Sequence, residues 1–151
     1  MIILGRESTA HTLGIGIISS EAKVLANIVD SYTASDKGMI PNEVAKHHEK
    51  VAEEVLGKAL AAAAISWKEI SFIAYSAGPG LDPPLLVGYR KAQEWSARFG
   101  KKLVGVNHPA AHLSIGKIFH HLHNPCYLYV SGVNTQIIVE EAGKYQVVGE
   151  T

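Results

Sequence analysis

The two side chains best suited to chemistry are His108 and His112, in the run Asn107, His108, Pro109, Ala110, Ala111, His112. Pro109 fits the first position of a helix, so His108 stands at the cap and His112 follows one turn later on the same side. Imidazoles so placed supply half of a transition-metal site, because such a metal takes nitrogen donors at about 2.0–2.1 Å, held rigidly from one direction. The same spacing also serves a capping histidine followed by a core histidine. A zinc peptidase of the His-Glu-x-x-His type shares it too, but needs a glutamate directly after the first histidine as general base. Here that position is Pro109.

Two further loops could hold a ligand. Ser76, Ala77, Gly78, Pro79, Gly80 and Leu81 form a glycine-rich turn ahead of a helix. Such a turn admits a ligand close to the backbone and offers anionic groups a helix start; it is equally an ordinary tight turn, with Asp82, Pro83 and Pro84 behind it. Tyr129, Val130, Ser131, Gly132, Val133, Asn134 and Thr135 carry hydroxyl and amide donors around Gly132, and Gly5, Arg6, Glu7, Ser8, Thr9 and Ala10 hold the matching place near the N-terminus. Paired turns, one per lobe, can grip a nucleotide's phosphates through backbone N–H groups and hydroxyls, although each alone is an ordinary hairpin turn. His120, His121 and His123 end a helix, where positive charge suits the dipole, and are expected at the surface. His47 and His48 lie near the apolar face of a long helix and are expected to pack or form an interface. Cys126, the only cysteine, stands in an apolar run and is expected to be a buried thiol.

The elements that position these groups follow from pattern. The 151 residues are 47% apolar and 19% charged, with 14 basic residues against 14 acidic ones, which excludes a disordered tail and any long-range pull toward nucleic acid or an anionic membrane. Contact with RNA must therefore be local. The longest uncharged apolar stretch, residues 59–67, falls short of the roughly 20 that a membrane span needs, and no basic leader precedes the first strand, so a cytoplasmic protein with no membrane partner is expected. Strands are expected at 2–4, 13–18 and 23–31, joined by connections too short for parallel pairing. A helix over 42–63, a strand over 71–76, a helix over 85–99, a strand over 103–106 and a helix over 110–119 follow. The order βββαβαβα describes an α/β lobe with a mixed sheet, the ribonuclease H-like layout of actin-like folds. After Asn124 and Pro125, three strand-like runs at 126–130, 136–140 and 145–148 repeat the opening meander. Residues 1–124 are thus expected to form the first lobe, and 125–151 to open a second lobe whose remainder is missing, because a bare meander leaves a sheet face and edges uncovered.

Taken in order, these motifs resemble the family of tRNA N6-adenosine threonylcarbamoyltransferases, the catalytic subunit of the KEOPS complex, formerly called O-sialoglycoprotein endopeptidases. The run from Asn107 to His112, the run from Leu128 to Gln136 and the run from Ser76 to Leu81 look like the archaeal and eukaryotic branch. The resemblance covers the whole chain and corresponds to about the N-terminal half of a typical member. It implies an actin-like two-lobed fold, one metal ion, iron or zinc, and an adenylate or ATP as ligand. It implies transfer of a threonylcarbamoyl group from its adenylate to N6 of the adenosine beside the tRNA anticodon. His108 and His112 match the family's histidine metal ligands and Tyr129 its tyrosine ligand. Tyr129, Val130, Ser131, Gly132 and Val133 match the stretch that contacts the adenylate, with Ser8 and Thr9 in the paired turn. The implied partners are tRNA, a small dimerisation subunit meeting the helices at 42–63 and 85–99, and a kinase-like subunit.

The chain departs from the family pattern at Val133, where a second glycine is usual, and at Arg6 and Ser8, which replace an apolar residue and a glycine. Ile40 and Asn42 replace a histidine and an arginine around Pro41. The family's last metal ligand, an aspartate, belongs to the other half, so this polypeptide alone is expected to hold at most a three-donor, solvent-open site and to be inactive or nearly so. A non-catalytic scaffold that keeps only the helical interface, and a fragment of an actin-like sugar or acetate kinase, are the competing readings. The scaffold predicts no bound metal, and the kinase needs an acidic base in the cleft.

Overall fold

The computed structural model describes residues 1–34, 38–132 and 135–151; residues 35–37, Val133 and Asn134 lie outside the described residues. The chain divides into two compact units, Met1–His108 and Pro109–Thr151.

The first unit contains β1 (Ile2–Glu7), β2 (Thr12–Ser19), β3 (Val24–Ser31), α1 (Pro41–Ala63), β4 (Ile70–Gly78), α2 (Asp82–Phe99) and β5 (Lys102–Asn107). Its sheet runs β3-β2-β1-β4-β5. The β1/β2 and β2/β3 pairs are antiparallel, while β1/β4 and β4/β5 are parallel. This is the mixed sheet expected from the sequence: short turns close the antiparallel pairs, and helices carry the chain into the parallel ones.

Alternation builds the core. Leu13, Ile15 and Ile17 of β2 point to one face with no exposed surface, beside Leu4 of β1 and Ile73 of β4. Val44, His48, Ala52, Val55, Leu56 and Ala59 form the buried stripe of α1. Trp95 of α2 is fully buried, its indole N–H donating to Glu53 Oε1 at 2.7 Å, and Trp67 stacks on Phe99. Pro41 opens α1, and Gly100 closes α2 in the left-handed region at φ 63°.

The second unit holds the rest of α3 (His108–His120) and an antiparallel sheet of β6 (Cys126–Val130), β7 (Thr135–Glu141) and β8 (Lys144–Glu150) in the order β6-β7-β8. Ala142 at φ 49° and Gly143 at φ 73° make the two-residue turn joining β7 to β8, both left-handed as the twist of a tight hairpin demands. Lys117 pairs with Glu140 at 2.6 Å, tying α3 to β7.

Four expectations need correction. β1 does not stop at Leu4 but runs through Gly5 to Glu7, because β2 and β4 pair with it from both sides. α2 begins at Asp82 rather than Leu85, since prolines are tolerated in a first turn whose N–H groups have no helical partner. α3 begins at His108, so that residue is helical rather than a flanking cap. Cys126 is exposed, on the side of β6 that also exposes Leu128 and Val130. Among the described residues, no helix is long and apolar enough to cross a membrane.

Period-two alternation also sends Arg6 inward after Leu4, leaving it 3% exposed. Its Nη1 donates to Gly88 O at 2.9 Å, but Nε and Nη2 have no hydrogen-bond partner among the described residues. Burial pushes its pKa down to about 10, against the pull of Glu49 and Glu53. A buried cation with unmade hydrogen bonds is a net cost, present at every pH below that pKa. Arg6→Met is therefore expected to stabilise the fold by about 1–3 kcal/mol, read as a higher urea midpoint at unchanged m-value; a lower midpoint would contradict this account.

Candidate functional site

The centre of the site is the Glu7 carboxylate at the end of β1, on the sheet face opposite Arg6. Its Oε1 accepts the backbone N–H of Thr9 at 2.6 Å and the Thr9 hydroxyl. Its Oε2 accepts the Ser76 hydroxyl, and His108 Nδ1 lies 3.0 Å from it. Four donors from three segments thus converge on one side chain and fill the acceptor capacity of a carboxylate. Burial opposes its ionisation, but the hydrogen bonds from Ser76 and Thr9 and the nearby His108 ring prevail and hold its pKa below the usual carboxylate value.

The turn after Glu7 is clamped from three directions. Thr9 O accepts the N–H of Leu81 at 2.8 Å, and Ala10 O lies 2.9 Å from His48 Nε2 on α1. A Cβ on Gly80 would come within 2.6 Å of Thr9 O, so only glycine allows the Gly78–Leu81 loop to lie against this turn. Gly88 of α2 likewise leaves room for the Ser8 side chain. Ser8 and Thr9 are 1% and 4% exposed, and the Thr9 hydroxyl is committed to Glu7.

His108 is the first residue of α3 and His112 lies one turn on, exposed. In the second unit, the His112 ring meets the Tyr129 ring edge-on with centroids 6.3 Å apart. Alternation along β6 half-buries Tyr129 and exposes Val130; Ser131 is half-buried and Gly132 exposed. Val133 lies outside the described residues. Among those residues, no group of three or more His, Cys, Asp or Glu stands ready to hold a metal ion. Imidazole nitrogens such as those of His108 and His112, and a phenol oxygen such as that of Tyr129, are donor types that iron or zinc accepts. A separate cavity of about 690 Å³ is lined by Asn42, Tyr75, Ser76, Asp82, Leu85 and Tyr89, so Ser76 borders it while bonding Glu7.

Sequence reasoning singled out the turn around Ser8 and Thr9 but passed over Glu7 as a functional residue. The available signal was a carboxylate two residues before a threonine at a strand end, a spacing at which one side chain can take a neighbour's backbone N–H and hydroxyl together.

Comparison with known proteins agrees in extent with the resemblance. The model of the tRNA N6-adenosine threonylcarbamoyltransferase family (TsaD) matches residues 23–151. A tRNA N6-adenosine threonylcarbamoyltransferase of Thermococcus gammatolerans is 48% identical over 151 residues, covering 100% of this chain and 46% of that protein. One from Thermofilum pendens is 44% identical over 149 residues, covering 99% of this chain and 44% of its own length. The chain thus spans about half the length of the curated relatives it matches. Among solved structures, YeaZ from Pseudomonas aeruginosa superposes with a TM-score of 0.67 at 10% identity, over 99% of this chain and 66% of that one, which is a likeness of fold.

Two outcomes follow from the clamped turn. Gly80→Ala is expected to cost about 1–3 kcal/mol, since a backbone carbonyl cannot yield to the new Cβ. Gly57→Ala on α1, where a Cβ meets nothing within 4 Å, is expected to add about 0.5–1 kcal/mol; thermal melts of the two variants check the pair. His48 is fully buried, and its pKa is lowered by desolvation, against the pull of Ala10 O. The unfolded chain therefore takes up that proton first, so stability is full above about pH 6.5 and declines as pH falls below it. Comparing urea midpoints at neutral and mildly acidic pH, a His48→Asn protein should lose less on acidification than the wild type.

Proposed function

This chain belongs to the tRNA N6-adenosine threonylcarbamoyltransferase family, and on that premise we propose that it supplies the histidine and tyrosine donors of a metal-dependent threonylcarbamoyl transfer to tRNA. The observation that carries the proposal is the pair of imidazoles at the start of α3, one engaged by Glu7 at Nδ1 and the other edge-on to Tyr129. His108, His112 and Tyr129 would hold the iron or zinc, and a metal so held would stabilise negative charge on carbamoyl and phosphate oxygens.

The chain's own residues position and confine. The stretch from Tyr129 to Gly132 presents backbone N–H groups and the Ser131 hydroxyl to the adenylate, which comes from ATP. Ser8 and Thr9 contribute through the position of their turn, since the Thr9 hydroxyl is already committed. The adenosine N6 amine attacks the carbamoyl carbonyl and the adenylate phosphate leaves, so no nucleophilic side chain is needed; holding amine and carbonyl in line supplies much of the acceleration. α2 packs against α1 and exposes Leu86 and Tyr89, which supports the assignment of the small dimerisation subunit to residues 42–63 and 85–99. tRNA and a kinase-like subunit complete the KEOPS-type partners, in the cytoplasm.

The test is metal binding and transfer together. The chain is expected to take up zinc or ferrous iron, and His112→Ala or Tyr129→Phe to weaken uptake. In the natural gene product, His112→Ala is expected to slow transfer from the adenylate to tRNA by more than the roughly 10–100-fold that loss of a merely supporting partner costs. A wild-type chain that binds neither metal would favour the scaffold.

A further inference from the structure

We propose that Glu7 is a positioning residue for His108: by accepting its Nδ1 proton, it fixes the imidazole tautomer in which Nε2 carries the lone pair. This rests on the metal-donor reading above and names a residue outside its donor set. A carboxylate can only accept, so the 3.0 Å approach of His108 Nδ1 to Glu7 Oε2 puts the ring proton on Nδ1. A carboxylate that holds the far nitrogen of a ligating histidine sets both the orientation and the basicity of the nitrogen that binds.

Glu7 is itself held firmly enough for the task. The Thr9 N–H and hydroxyl fix Oε1, and the Ser76 hydroxyl shares Oε2 with His108. The end of β1, the turn after it, the end of β4 and the start of α3 therefore meet at one group.

The same network makes the isosteric replacement informative. In Glu7→Gln the shape is kept, but one oxygen becomes an NH2 group. The Thr9 backbone N–H cannot turn round to accept, so the amide oxygen must stay at the Oε1 place and the NH2 must face Ser76 and His108. Both of those can answer: the hydroxyl rotates, and the imidazole moves its proton from Nδ1 to Nε2. The substitution thus inverts the tautomer and caps with hydrogen the nitrogen that a metal would take.

The experiment is long-range proton–nitrogen correlation on metal-free, histidine-labelled chain at about pH 8, where free imidazole is neutral. The wild type is expected to show the His108 proton on Nδ1 and Glu7→Gln to show it on Nε2, and zinc alone, followed by calorimetry, is expected to bind the variant about 10–100-fold more weakly. A wild-type proton on Nε2 overturns the proposal without any variant, as does a folded Glu7→Gln protein that keeps the proton on Nδ1. Tautomer inversion with unchanged zinc affinity also overturns it, since the metal would not then be reached through Nε2. If the tautomer inverts but neither protein takes up zinc, the hold of Glu7 on His108 stands and the metal reading of the preceding subsection falls.

Discussion

One carboxylate with four donors organises this part of the molecule. Glu7 ends a strand that pairs with β2 and, up to Arg6, with β4, and its oxygens draw in the following turn, the end of β4 and the first residue of α3. Each bond to a charged acceptor is stronger than a neutral one, and together they replace the hydration that partial burial removes. The position of His108 follows from Glu7 more directly than from its own helix, whose first turn alone would allow the ring several rotamers.

The opposite face of the same strand shows the cost of alternation. A strand that sends Glu7 to one face sends Arg6 to the other, into the company of Leu4 and Trp95. There the guanidinium finds two carbonyls and an aromatic face but too few acceptors. Ser8, next in that series, is accommodated because Gly88 presents no side chain to it. The neighbouring residues Arg6, Glu7 and Ser8 thus meet three separate physical demands within one stretch of backbone.

Much of the architecture was legible. The apolar periods over 42–63 and 85–99 and the apolar run at 71–76 each gave an element, because burial of one face leaves its period in the sequence. Element ends were less legible. β1 continued through Gly5 since partners on both sides decided it, and α2 took in Pro83 and Pro84 since a first helical turn lacks N–H partners in any case. Cys126 read as buried from the apolar residues beside it, but the alternation of β6 turned it outward.

By itself the sequence marked out candidates: the histidines at 108 and 112 by residue type and spacing, and glycines where a backbone can come close, while the tyrosine at 129 entered only through the family resemblance. Composition, period and residue type are properties of a chain read locally, and these are what such features require. Only the tertiary structure decided that Glu7 faces His108, 101 positions away along the chain, that the Thr9 hydroxyl is committed inward, and that Gly80 lies against Thr9. Those facts depend on strand register and on which face each side chain takes, and a shift of a single residue in β1 would have exchanged Glu7 for Arg6.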